Sequence, residues 1–359
     1  MSCFKKIKNI IYYVPETVAD NINTAGPKAR EDIDSILKSC GLEPLLPIEY
    51  GLLSYKNNRF RIDYWRFLFS LCNIKNRWIV LQYPVYSGRI EKKIIDRLIH
   101  NNHLIFFIHD LEYLRFKNTK SRLQYEIDLL NKASIIVSHN SYMTKRLQQD
   151  GVTVPILELQ LFDYLLSTPV PGHSYKFGRQ IAYAGNLGII ALKNAFLLNE
   201  TIQDLPVDFL LYGPGFDKNL LKWSNIKYSG SYSPTEIPHK LEGSFGLIWD
   251  GNSVTTCDGQ AGEYMRYNNP HKLSLYIVAG LPVIVWKESA IAKFVRTFNI
   301  GITVDSLADI SEEIQKTGVE EYNQMLHNIQ DLQMKISSGF FTKNVLQAID
   351  DIITEQYDH

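Results

Sequence analysis

The chain has 359 residues, 45% hydrophobic and 21% charged, which suits two ordinary globular domains and excludes a disordered or fibrous protein. Its 38 basic and 38 acidic side chains cancel, so no bulk field recruits nucleic acid. Four scattered cysteines, Cys3, Cys40, Cys72 and Cys257, form no CxxC pair and read as reduced thiols of a cytoplasmic protein.

The N-terminus places Lys5, Lys6 and Lys8 before a short apolar run that Pro15 soon breaks, too short for a secretory signal. That basic start leaves peripheral membrane contact open, while no run of eighteen apolar residues predicts a membrane span. Apolar runs then predict strands at Ile7–Val14, Trp78–Tyr83, Leu104–His109, Ser134–Ser138 and Pro155–Glu158. A second set follows at Gln180–Ala184, Val207–Tyr212, Phe245–Trp249, Leu281–Trp286 and Gly301–Val304. Helical patterns lie between them at Lys28–Ser39, Ile90–His100, Tyr142–Gln149 and Ile291–Phe298. Such alternation predicts an α/β fold of βαβ units with parallel sheets.

The cluster "STPVPGHSYK" at Ser167–Lys176 marks a boundary. It predicts a Rossmann-like domain over 1–168 and a second over 175–338. The stripe Val345, Leu346, Ile349, Ile352 and Ile353 predicts a final helix, 339–359, that packs back on the first domain. Ligands of such sheets bind off the carboxyl ends of the strands, which places the site in a cleft between the domains.

Those strand ends read His109-Asp110-Leu111-Glu112, Gly185-Asn186, Tyr212-Gly213 and Trp249-Asp250. Any one of them is equally well a plain turn. The stretch "NNPHKLSLYIVAGLPVIVW" adds a helix start, with Asn269 as N-cap, Pro270 at the first helical position and apolar residues at helical spacing. Lys272 is out of place there, because the positive end of a helix dipole disfavours a cation. It fits if the lysine and the free amides share one phosphate; otherwise it is an exposed helix lysine. His271, beside it, either touches ligand or faces solvent. No nicotinamide fingerprint, Walker loop, H-E-x-x-H or G-x-S-x-G is present, and Asp32-Ile33-Asp34 reads as a solvated helix face, not a metal clamp. No cofactor and no metal are expected.

The segment "FGLIWDGNSVTTCDGQAGEYMRYNNPHKLSLYIVAGLPVIVWKESAIAKF", with "TAGPKARED", "FIHDLEYLR", "VSHNSYMTKRL", "FDYLLS" and "IAYAGNL", resembles the bacterial O-antigen β-1,6-galactofuranosyltransferases in the same order over nearly the whole chain. More distantly the chain is similar to the glucosyltransferases that extend sugars on serine-rich adhesins. The resemblance implies a GT-B fold, two Rossmann-like domains facing each other across a cleft. It implies transfer of a sugar, galactofuranose first, from UDP to a glycan acceptor of a cell-surface polysaccharide such as O-antigen or capsule, or to its lipid-linked precursor, with inversion.

It further implies that UDP lies on Pro270, His271, Lys272, Leu273, Ser274 and Leu275, with Lys272 on the diphosphate, and that Tyr212 lies near the nucleotide base. Ala25 and Gly26 match a small-residue loop that touches the donor. Where the relatives carry an arginine after "YAGNL", this chain has Gly188-Ile189-Ile190, and Lys193 is the nearest cation. Inversion needs a base for the acceptor hydroxyl. Asp110 is the first choice and Glu112 the second, while Trp249-Asp250 either lines the donor sugar or closes a turn. A transferase using UDP-glucose or a UDP-N-acetylhexosamine, a UDP-sugar epimerase, a non-catalytic UDP-binding subunit and a homo-oligomer all stay open.

Overall fold

Strands buried on both faces read as unbroken apolar runs, and that is how the central strands of both parallel sheets are written. The computed structural model describes residues 11–13, 16–17, 25–45, 48–49, 74–84, 91–116, 120–170, 175–188, 195–217 and 223–357. Lys5, Lys6, Lys8 and Lys193 lie outside them.

The first half contains β1 (Ile11–Tyr13), β2 (Glu16–Thr17), α1 (Ala25–Ser39), β3 (Glu43–Pro44), β4 (Ile48–Glu49), β5 (Trp78–Tyr83), α2 (Glu91–Ile99) and β6 (His103–Ile108). There follow α3 (Glu112–Arg115), α4 (Lys120–Leu130), β7 (Ile135–Ser138), α5 (Ser141–Gln149) and β8 (Ile156–Glu158). The strand order is β3-β1-β5-β6-β7-β8, all parallel, with β2 and β4 paired separately. Every residue of β5 is buried, including Gln82.

The second half contains β9 (Gln180–Ala184), α6 (Glu200–Asp204), β10 (Asp208–Tyr212), β11 (Ile226–Gly230), β12 (Phe245–Ile248), α7 (Gly259–Tyr264) and α8 (His271–Ala279). It continues through β13 (Val283–Trp286), α9 (Ala292–Phe298), β14 (Gly301–Val304), α10 (Ile310–Ser337) and α11 (Phe340–Tyr357). Its sheet runs β11-β10-β9-β12-β13-β14, also parallel. Renumbered by appearance, this is the dinucleotide-fold order 3-2-1-4-5-6, whose direction reverses between β9 and β12. A ligand crevice belongs at the carboxyl ends of those two strands.

The chain divides into one unit of Met1–Asn21, Arg30–Gln160 and Phe341–His359, and another of Ile22–Ala29 and Leu161–Phe340. Residues 161–168 therefore group with the second unit and not with the first. Ser274 Oγ donates to Phe162 O at 2.7 Å and Tyr164 N–H to Ile336 O at 3.2 Å, which ties that stretch there. Among the described residues no helix is long and apolar enough to cross a membrane.

Two local expectations are corrected. Asp32 is 4% exposed and Asp34 accepts from Gln82 Nε2 at 2.7 Å, so this acidic pair is packed, not a solvated face. Ala25 and Gly26 open α1 as its first turn, so they are helical and do not form a loop.

Gly246 in β12 shows how α8 is seated. A Cβ there would lie 2.5 Å from the Tyr276 ring. Only a bare backbone lets that ring approach and its hydroxyl take the Ala184 amide at 2.8 Å. Gly246→Ala is expected to cost about 1–3 kcal/mol by overpacking, read as a lower midpoint in chemical denaturation; an unchanged midpoint would contradict this packing.

Candidate functional site

In the second unit, the reversal point of the sheet is where the residues expected from sequence converge. The Lys272 ammonium, in the first turn of α8, donates to Asp250 Oδ1 at 3.0 Å and to the Tyr183 hydroxyl at 3.2 Å. It lies 4.3 Å from the centre of the Tyr183 ring. Asp250 follows β12, and Tyr183 is the penultimate residue of β9. Gly185, just past β9, completes the group: a Cβ there would come within 3.2 Å of Lys272 Cε. Glycine lets the lysine stem lie across the strand end.

The turn itself is equally tight. Gly185 N–H donates to Tyr212 O at 2.9 Å, and a Cβ on Gly213 would sit 1.7 Å from Gly185 O. With φ of +139°, Gly213 also adopts a backbone that side chains disfavour. Asn186 shapes the exit of the turn, its Oδ1 accepting from Gly188 N–H at 2.9 Å.

Burial opposes the Lys272 charge, but Asp250, helped by the Tyr183 and Tyr276 hydroxyls, holds the ammonium well above the ordinary lysine range. It stays protonated at every working pH. Lys272 and Asp250 side chains are 18% and 16% exposed, so the pair is only partly withdrawn from water. Burial pushes the Tyr183 hydroxyl up to about 12, which keeps it a neutral donor; it donates to Trp249 O at 3.3 Å. A cation in the first turn of a helix, whose first amides have no intrahelical acceptors, is a combination that can receive an anion.

The other expected residues make contacts of their own. Pro270, with ψ of 132°, is the N-cap, so α8 starts at His271 and Asn269 stands one place before the cap, 4% exposed. The expectation of Asn269 as cap is corrected: a proline with extended ψ cannot be the first helical residue. Trp249 is fully buried and spends its indole N–H on Ser253 O at 3.0 Å, so it closes a turn while only Asp250 reaches Lys272. Leu273, Ser274 and Leu275 are all buried, Ser274 against Phe162 through its hydroxyl. Tyr212 is 1% exposed, its hydroxyl accepting from Glu242 N–H at 3.0 Å.

His271 stacks on Tyr164 at 4.9 Å between ring centres, with Lys28 near enough to matter. Burial, then the Lys28 charge, pulls its pKa down to about 3, so the ring is neutral.

In the first unit the end of β6 is pinned from three sides. His109 Nε2 lies 2.6 Å from Gln82 Oε1, and Gln82 Nε2 donates to Arg30 O at 3.1 Å. His139, kept neutral by burial with a pKa down near 4, bonds Ile108 O at 3.1 Å. Asp110 is ion-paired with Arg115, and Glu112 with Arg122 at 2.6 Å. Both carboxylates stay partly exposed, at 20% and 31%. Each is thus reachable and held in place. Among the described residues no cluster of three or more His, Cys, Asp or Glu side chains is placed to hold a metal ion.

Sequence reading missed Tyr183, Gln82, Arg30 and Glu126. Gln82 alone left a signal, as an amide inside an otherwise apolar strand.

Two family models match: "Glucosyltransferase 3-like, N-terminal domain" over residues 11–161 and "Glucosyltransferase 3-like, C-terminal domain" over 181–349. The chain is similar to the beta-1,6-galactofuranosyltransferase WbbI of Escherichia coli (strain K12), 35% identical over 79% of this chain and 83% of that protein. It is also similar to Glucosyltransferase 3 of Streptococcus gordonii, 28% identical over 75% of this chain and 77% of that protein. Among solved structures, sucrose-phosphate synthase from Thermosynechococcus elongatus superposes with a TM-score of 0.63 at 11% identity, covering 96% of this chain and 99% of that one. Anabaena HepE in complex with UDP and glucose gives 0.56 at 13%, with the same coverage. At such identities the likeness is one of fold, and the fold is GT-B.

Proposed function

We propose, because this chain belongs to the Glucosyltransferase 3-like family of glycosyltransferases, that it moves galactofuranose from UDP to a hydroxyl of a glycan acceptor, with inversion and without a metal. It is a UDP-sugar-dependent glycosyltransferase. The observation that carries the donor side is Lys272. Its ammonium sits in the first turn of α8, at the reversal point of the second sheet, held beside the glycine turn at Gly185. A departing diphosphate needs a preorganised positive site, and this one supplies cation and helix amides together. Asp250, 3.0 Å from that ammonium, keeps it charged and aimed. The 35% identity to a galactofuranosyltransferase favours that sugar; the 28% identity to one glucosyltransferase makes UDP-glucose the second reading.

The first unit supplies the acceptor side, with Asp110 as base and Glu112 as the alternative. A cell-surface polysaccharide or its lipid-linked precursor is the acceptor class, and a cytoplasmic enzyme visiting the membrane from the aqueous side suits it. UDP release, followed with and without an alkyl glycoside acceptor and with and without EDTA, tests this. We expect release that waits for acceptor and survives the chelator. A sugar epimer formed without acceptor would make the protein an epimerase; activity lost to EDTA and restored by Mg²⁺ or Mn²⁺ would refute the metal-free reading.

A further inference from the structure

The short helix that follows β6 is not held by its own residues. α3 has four residues, and its N-cap, Leu111, offers no side-chain acceptor. One turn of helix has no stability of its own, and its first amides need acceptors from elsewhere. Glu126 of α4 provides them. Its Oε1 accepts from the Glu112 N–H at 3.0 Å and its Oε2 from the Tyr113 N–H at 2.8 Å. The Tyr83 hydroxyl, at the end of β5, donates to Oε1 at 3.0 Å. At 2% exposure this carboxylate acts only through its neighbours.

Charged groups stand around it among the described residues. Glu112 faces it from α3. Arg122, one turn back on α4, is engaged with Glu112 at 2.6 Å. Beyond Tyr113, whose hydroxyl donates to Asp150 at 2.7 Å, lies the pair of Arg146 in α5 with Asp150 at its C-cap. Burial pushes the Glu126 carboxyl up to about 7, against the pull of its three donors, and the Glu112 charge adds to the rise. The folded chain therefore binds this proton more tightly than the unfolded one. Ionising Glu126 costs stability as pH rises from the ordinary carboxylate range through 7. The anion is held at a cost, and what it secures is the position of one turn.

We propose that Glu126 is a positioning residue for sugar transfer, its two carboxylate oxygens clamping the first turn of α3 and so fixing the Asp110–Glu112 segment from which the base acts. This rests on the reading that the base is Asp110 or Glu112. Adding a proton turns one acceptor oxygen into an O–H that faces an N–H, one amide loses its partner, and the segment loosens.

The test is kcat against pH for the wild type, Tyr83→Phe, Glu126→Gln and Glu126→Asp, beside Asp110→Asn and Glu112→Gln. The probe is an alkyl glycoside with UDP-galactofuranose, or with UDP-glucose if that is the donor turned over. Tyr83→Phe removes a donor that favours the anion, so the acid limb should move to higher pH. Glu126→Gln should lower kcat about tenfold to a hundredfold, lose the limb near pH 7 and leave KM for the UDP-sugar unchanged; Glu126→Asp should restore part of the rate. A residue that only stabilises the fold would leave the limb where it is. If Glu126→Gln and Tyr83→Phe keep the wild-type kcat and limb while Asp110→Asn or Glu112→Gln is inactive, the clamp is wrong and the base reading stands. If Asp110→Asn and Glu112→Gln are both fully active, the base reading fails and the clamp fails with it. Should Glu126→Gln not fold, Tyr83→Phe decides: an unmoved acid limb overturns the proposal.

Discussion

Lys272→Ala is expected to lose most of the transfer rate, about 2–4 kcal/mol of transition-state stabilisation or roughly 30- to 1,000-fold. The argument is electrostatic. As the sugar–phosphate bond breaks, negative charge grows on the diphosphate, and a cation already fixed by Asp250 and Tyr183 needs no rearrangement to meet it. The loss should appear in kcat as well as in UDP affinity, because the interaction strengthens as the bond breaks. The substitution also leaves Asp250 without its partner, and an unpaired carboxylate at 16% exposure would repel an incoming phosphate. Lys272→Ala/Asp250→Asn separates the two effects. If repulsion dominates, the double variant regains UDP binding but not turnover; if Lys272 is only a surface lysine, both variants turn over normally and the assignment fails. Because Asp250 holds the ammonium far above the working range, the Lys272 contribution should not titrate between pH 6 and 9.

The second large effect concerns the acceptor. Asp110→Asn should lower kcat roughly a hundredfold or more, as loss of a general base does, while UDP still binds. The variant is a fair one, since asparagine can keep a hydrogen bond to Arg115 and so leave the turn after β6 in place. Glu112→Gln is the companion, its partner Arg122 likewise preserved. Loss of rate in the Glu112 variant alone moves the base by two residues. Normal rates in both would mean that the base, or the inversion, has been misread.

Much of this was legible in the sequence because parallel strands are written as apolar runs. Trp78–Tyr83 and Gln180–Ala184 are strands with the bounds their sequence implies, and Lys272 stood out as a cation where a helix dipole resists one. The edge strand β11 left no run to read, since its burial is partial. The long α10 was missed although its buried residues Tyr322, Met325, Ile329, Leu332 and Ile336 recur at helical spacing; its backbone breaks helical geometry at Gly318, φ 69°. The cap of α8 shifted by one residue because sequence fixes the φ of Pro270 but not its ψ. Tyr183 and Glu126 were invisible for a different reason. Tyr183 meets Lys272 from 89 residues away and Glu126 meets Tyr83 from 43, and no local pattern encodes such a meeting.

The central claim is that this protein transfers a sugar from UDP. Its most direct test is a donor screen of UDP-galactofuranose, UDP-glucose, UDP-galactose and the UDP-N-acetylhexosamines, each with an alkyl glycoside and read by mass spectrometry. The account predicts a single hexose added to the acceptor, one UDP released per product, and the greatest yield from UDP-galactofuranose. UDP-glucose as the sole donor would revise the sugar; no glycoside product from any donor, or a sugar epimer in its place, would contradict the account.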